Sequence, residues 1–323
     1  MRKLALTIGL IAAVLAGVAA TSSQATAPGK NGRIAFRRYF SNDHSWGAVF
    51  TISANGKGER QVTHPPKNTV DDQPDWSPDG SLIAFANCPN DAACGVYTVR
   101  PDRSGLTRVS KPCPPRGRTP LCSDDFLPTF SPDGETIAYA SFDGRTGAGI
   151  VTADRDGANR RLAVPGAKGY ALGDPQFSPD GKRLVFQRVN EPSERMQALF
   201  VVSVDGTGVR RLTPWSMHAG DNPDWSPDGH WILVRSNEDV DGKQSQIYVI
   251  HPDGSGLKLL THFKLDSIVT SSSFSPDGEW IVFATNGVRG NADLFVMRPD
   301  GSGMHPITRT KLWDSAPDWG PAR

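Results

Sequence analysis

Apolar and polar positions along the chain follow one pattern that keeps returning. In DQPDWSPDGSLIAFAN (72–87) a short strand ends on Trp76, the turn Ser-Pro-Asp-Gly follows, and a second strand opens on the apolar triplet Ile83-Ala84-Phe85. The same order of residues stands at 125–141, 173–188, 221–236 and 271–285, where Phe130, Phe177, Trp225 and Phe274 take the place of Trp76. Proline sets φ at the second turn position and glycine accepts a positive φ, so each copy predicts a β-hairpin. A second pair of strands lies between successive hairpins. Apolar runs such as GVYTV (95–99), LFVVS (199–203) and LFVMR (294–298) lead into turns such as Asp205-Gly206, Asp253-Gly254 and Asp300-Gly301. Asp-Gly between apolar runs is a strong hairpin signal. Short fourth strands such as RRLT, KLLT and HPIT then follow.

The two outer copies are incomplete in complementary ways. GKNGRIAFRR (29–38) holds the second half of a hairpin, and DSAPDWGPAR (314–323) holds the first half. Joined, they make one unit, which only a closed ring allows. Four strands per unit and a period of about 45 to 55 residues give the expected fold. It is an all-β, six-bladed β-propeller whose ring is closed by pairing the C-terminal strand with the N-terminal blade, over residues 28–323.

The pattern DxxPxWSPDGxxIAF…IYVMxxDGSGxxxLT resembles the TolB-type propeller repeat, a WD-like family, across essentially all of residues 29–320. The Asp-Trp pairs Asp75-Trp76, Asp224-Trp225 and Asp318-Trp319 precede the first turn, unlike those of ordinary WD repeats. The amino-terminal α/β domain that TolB carries before its propeller is expected to have no counterpart, since the signal-like segment leads straight into the first blade. Related peptidases add an α/β-hydrolase domain, and the chain has no GxSxG nucleophile elbow. The resemblance implies a channel that can hold metal ions and receive peptide segments from partner proteins.

Residues 1–27 differ in composition from the rest. Arg2-Lys3 precede an apolar stretch from Leu4 to Ala20, and then TSSQATAP. This is the form of a secretory signal peptide, so the mature protein is expected to be periplasmic or extracellular, in the cell envelope, with no integral membrane segment after cleavage. In an exported chain the cysteines Cys88, Cys94, Cys113 and Cys122 suggest disulfides, and they lack the CxxC spacing of structural zinc sites. Three pairings are open; Cys88–Cys94 with Cys113–Cys122 is the simplest. The formal charge of +1 over 323 residues argues against a nucleic-acid binder that works by bulk charge.

The Ser-Pro-Asp-Gly and Asp-Gly turns fall on one face of the ring, and loops of varied length fall on the other. Rigid scaffolds carry function on such loops. Trp46, Trp215, Trp313 and His218 lie in or beside them and are the candidate partner-binding residues. Acidic residues recur just before the innermost strand, with Asp72, Asp125, Asp174, Asp221 and Asp314 as candidate metal ligands for a Ca²⁺ ion at the channel mouth. The plainer reading is that each carboxylate bonds backbone N–H groups at its corner. No cofactor is required and no residue is assigned a catalytic role. The expected function is an exported, monomeric, non-catalytic propeller that recognises a protein or peptide partner through its loop face. The alternative is a metal-assisted polysaccharide lyase or hydrolase.

Overall fold

The computed structural model describes residues 28–111, 123–142, 148–166, 169–190, 196–237, 244–264, 266–288 and 291–323. The apolar segment at 1–27 and the cysteines Cys113 and Cys122 lie outside them. The strands are β1 (Asn31–Tyr39), β2 (Gly47–Ser53) and β3 (Arg60–Gln61), then β4 (Thr69–Trp76), β5 (Ile83–Pro89), β6 (Gly95–Val99) and β7 (Thr107–Arg108). Next come β8 (Asp124–Phe130), β9 (Thr136–Phe142), β10 (Ala148–Asp154) and β11 (Arg161–Val164), followed by β12 (Tyr170–Phe177), β13 (Arg183–Asn190), β14 (Gln197–Ser203) and β15 (Arg210–Arg211). The chain continues through β16 (Ala219–Trp225), β17 (Ile232–Asn237), β18 (Ser245–Ile250) and β19 (Lys258–Leu259). It finishes with β20 (Val269–Phe274), β21 (Ile281–Thr285), β22 (Asp293–Met297), β23 (His305–Pro306) and β24 (Trp313–Pro321). Apart from a 3-10 turn at Trp215–Met217, the described residues form no helix, and none is long and apolar enough to cross a membrane.

Each Ser-Pro-Asp-Gly segment builds the same turn. Ser77 Oγ donates to Asp79 Oδ1 at 2.7 Å and accepts the Leu82 N–H at 2.8 Å, while the Gly80 N–H reaches the Ser77 carbonyl at 2.8 Å. Gly80 has φ +66°, a conformation that costs glycine little and other residues more. The short fourth strands end on a hydroxyl for a similar reason. Thr63, Thr213, Thr261 and Thr308 each accept a third-strand N–H, from Val49, Leu199, Ile247 and Leu294 at 2.9 to 3.0 Å. A two-residue strand is thereby stitched to its neighbour beyond the reach of its own ladder.

The expected count of six separate blades is corrected by the hydrogen bonding. Four four-stranded sheets stand alone: β8–β11, β12–β15, β16–β19 and β20–β23. The remaining strands form one eight-stranded sheet in the order β24-β1-β2-β4-β5-β6-β7, with β3 on β2. A single parallel bridge, Gly47 to Val70, fuses them. Periodicity counts repeated segments; it carries no information about whether two neighbours also share a bridge. The fold is therefore all-β and a propeller, with four free-standing blades and one double-width sheet.

β1 and β24 pair antiparallel from Asn31–Pro321 to Tyr39–Trp313. A clasp locks this pairing. Arg38 donates to both oxygens of Asp314 (2.6 and 2.9 Å) and to both oxygens of Glu59 (2.6 and 2.9 Å). Burial works against the charge of Arg38, yet these two carboxylates hold its guanidinium protonated above the usual range. Its guanidinium carbon also lies 4.8 Å from the ring centre of Phe50.

The innermost strands β4, β8, β12, β16, β20 and β24 contact one another in cyclic order around a central axis. The apolar core fills the gaps between sheets: Ile34, Phe36 and Trp319 pack with Val282, Ala284 and Leu294 across one such gap. Cys88 and Cys94 form a disulfide at the loop end of β5 and β6. Closing so short a loop contributes on the order of 2 kcal/mol.

Candidate functional site

A small axial cavity opens among the innermost strands. Its lining includes Gln73, Leu127, Asp174, Asn222 and Ala316, all with positive φ between 47° and 59°, each followed by a proline: Pro74, Pro128, Pro175, Pro223 and Pro317. The pairing register shifts at each of these places, so each is a β-bulge. Proline fits there because the bulge leaves its nitrogen without a ladder partner. β20 departs from this scheme, with Ser271-Ser272-Ser273 where the others place a left-handed residue, a proline and the residue before the aromatic.

The position before each aromatic lines the axial cavities: Asp75, Thr129, Gln176, Asp224, Ser273 and Asp318. Here the carboxylates bridge neighbouring innermost strands. Asp318 Oδ2 accepts the Trp76 N–H at 2.7 Å, Asp75 Oδ2 accepts the Phe130 N–H at 2.8 Å, and Asp224 Oδ2 accepts the Phe274 N–H at 2.7 Å. Thr129 donates to Gln176 Oε1 at 2.7 Å, and Ser273 Oγ donates to Asp318 Oδ1 at 3.2 Å. Burial is the main reason these carboxyls hold their protons, and mutual repulsion adds to it for Asp75 and Asp224. Asp75 is held well above the ordinary value, Asp224 is pushed up to about 8, and Asp318 to about 6. In the sequence these Asp-Trp pairs stand out only as a departure from ordinary WD repeats. Alternation along the strand was the available signal: with the aromatic turned into the core, the residue before it turns to the axis.

The predicted carboxylates do not converge. Asp72 pairs with Arg37, which also donates to Ser315 Oγ at 2.7 Å. Asp221 pairs with Arg235 and accepts from Gln187 Nε2 at 2.7 Å. Asp174 is buried near both, and burial, then the charge of Asp221, pushes its carboxyl up to about 8. Asp125 is fully buried, its carboxyl raised by that burial. Asp314 is taken up in the Arg38 clasp. Three of the five are thus neutralised by arginine and do not fit a calcium cage. Among the described residues, no group of three or more His, Cys, Asp or Glu is placed to hold a metal ion.

The candidate aromatics separate into two clusters on the loop face. Trp313 lies 5.0 Å from the ring of His44, which stacks on Tyr39 at 4.3 Å and 9°. Arg37 sits over Tyr39 at 4.3 Å, and Trp46 packs on Phe40 at 4.7 Å and donates to the Pro65 carbonyl at 3.3 Å. Burial, then Arg37, lowers the basicity of His44 and favours its neutral form. Trp215 belongs to a second cluster, with its ring centre 5.8 Å from that of Phe200 and 6.1 Å from that of Tyr170, over which Arg188 lies at 3.6 Å. His218 closes the 3-10 turn in the left-handed conformation, φ 47°. Trp215 also packs against the core, whereas Trp313 and His44 cap the end of the β1–β24 ladder. Tyr39 and His44 were not among the candidate residues, because their stacking depends on the turn that folds 40–46 back onto β1.

The described fold has counterparts among solved structures. TolB from Acinetobacter baumannii superposes with a TM-score of 0.70 at 20% identity, over 90% of this chain and 67% of that one. Putative TolB from Agrobacterium tumefaciens gives 0.63 at 19% identity, over 90% and 99%. An oligogalacturonate lyase in complex with manganese gives 0.54 at 16% identity, over 87% and 74%. At these identities the likeness concerns the fold. No curated protein sequence matches the chain. The family profile described as "TolB beta propeller domain", however, matches residues 115–323, more than half of the sequence. With its bulged innermost strands and Ser-Pro-Asp-Gly turns, the chain belongs to the TolB β-propeller family.

Proposed function

We propose that the protein is an exported, non-catalytic binding propeller that recognises a protein or peptide segment at the loop-face mouth of its axial channel. One observation carries this reading: Tyr39, His44 and Trp313 form a part-exposed aromatic cluster beside the Arg37–Asp72 pair, and Gln73, next to Asp72, lines the axial cavity. Aromatic rings and arginine next to a rigid opening supply the contacts that dominate protein recognition. The leader-like segment at 1–27 supports export and action in the cell envelope, as a monomer. Trp46, Trp215 and His218 extend the same face. A polysaccharide-acting enzyme would share the scaffold with the lyase, but that likeness concerns fold alone.

Trp313→Ala tests the reading. Capture of envelope proteins by the immobilised variant is expected to fall by about tenfold or more, with the melting temperature within about 4 °C of the parent. Undiminished capture by the folded variant would remove this face from the interface.

A further inference from the structure

The lining of the axial cavity contains Asp75, Asp174, Asp224 and Asp318 but no Lys, Arg or His. The titratable groups lining the axis are therefore all carboxyls, which a bound cation would ionise. The departure of β20 adds a second and separate observation. Ser272 lines the cavity where the other innermost strands present a proline ring, it is 4% exposed, and its Oγ has no hydrogen-bond partner. A buried hydroxyl left unpaired is destabilising, so its presence calls for an occupant that satisfies it. β20 lies between β16 and β24. The hydroxyl thus stands in the sector between Asp224 and Asp318.

From this arrangement we propose that the axial ring takes an organic cation, the guanidinium or ammonium end of a basic side chain on the segment that enters the channel. The inference rests on the reading of the loop face as a peptide-recognition surface. Asp224 and Asp318 each commit Oδ2 to a backbone N–H of the adjacent strand, which fixes both carboxyls in place. A cation with several N–H donors would bond these two groups and Ser272 Oγ together, whereas a bare metal ion needs oxygens converging at short range. The charge it brings would favour the ionised form of these buried carboxyls without moving the inter-strand bonds.

Calorimetry at low salt with two capped peptides, acetyl-Gly-Gly-Arg-Gly-Gly-amide and its Gln analogue, tests the inference. The Arg peptide is expected to bind about tenfold or more tightly than the Gln peptide, and Asp318→Asn and Ser272→Ala are each expected to shrink that difference. Asn keeps an acceptor for the Trp76 N–H, and Ser272→Ala removes only the unpaired hydroxyl, so the second variant serves if the first fails to fold. Equal affinity for the two peptides overturns the proposal, as does an Arg preference that survives both substitutions. Agmatine binding without peptide binding also overturns it, since the site would then serve a free amine. Absent discrimination together with Trp313-dependent capture defeats this inference alone. Discrimination by the peptides with Trp313-independent capture defeats the interface assignment instead.

Discussion

Replacing Arg38 by alanine is expected to lower the melting temperature by about 10 °C, the largest stability loss from any single substitution considered for this chain. The change leaves Asp314, which is fully buried, without its bidentate partner, and it releases Glu59 as well. Breaking a buried pair from one side costs about 3–5 kcal/mol, because the remaining carboxylate stays out of water with no counter-charge. At this chain length each kcal/mol corresponds to about 2–4 °C. Loss of the guanidinium over Phe50 adds to the effect. The double variant Arg38→Ala/Asp314→Ala should lose less than the sum of the single losses, since removing the second partner also removes the stranded charge. Calorimetric unfolding checks both; an Arg38→Ala midpoint within about 2 °C of the parent would show that the clasp contributes little.

Asp224→Asn is expected to act in the opposite direction at alkaline pH. The folded carboxyl is raised from 3.8 to about 8, chiefly by burial. The folded state therefore holds a proton that the unfolded chain releases. For such a group the stabilisation is complete below the unfolded value and is lost as pH climbs from about 4 toward 8. Asparagine keeps an oxygen for the Phe274 N–H and never ionises. The variant should melt about 4 °C or more above the parent at pH 8, with the difference vanishing near pH 4. Asp224→Ala should melt below the parent at both pH values, because the Phe274 N–H is then buried without an acceptor. Thermal melts from pH 4 to 9 decide it: parallel curves for parent and Asp224→Asn would mean that Asp224 is ionised throughout.

The hairpins were legible in the sequence because their signals are local. Ser-Pro-Asp-Gly fixes a turn by itself, and the split unit at 29–38 and 314–323 announced the β1–β24 pairing. The fused sheet was not legible, since one bridge at Gly47 and Val70 leaves no trace in periodicity. The acidic positions were visible but their duties were not. Asp72, Asp221 and Asp314 meet arginines from other strands, and only three-dimensional proximity reveals those partners. Asp75, Asp224 and Asp318 stand one residue before aromatics that dominated the motif. Of the tryptophans in or beside the variable loops, Trp215 is part of a core-backed cluster, whereas Trp313 packs on His44, a difference that depends on tertiary contacts.

The Arg38–Asp314 contact joins residues 276 positions apart. Contacts of that separation are favoured once the intervening sheets have assembled, because the loop they close is so long. The clasp is therefore expected to form late in folding, after the transition state. Interactions of this kind leave the folding rate almost unchanged and slow unfolding instead. The hydrogen bonds between β1 and β24 are thus expected to act as a latch on lifetime: the ring persists for as long as that one seam stays closed.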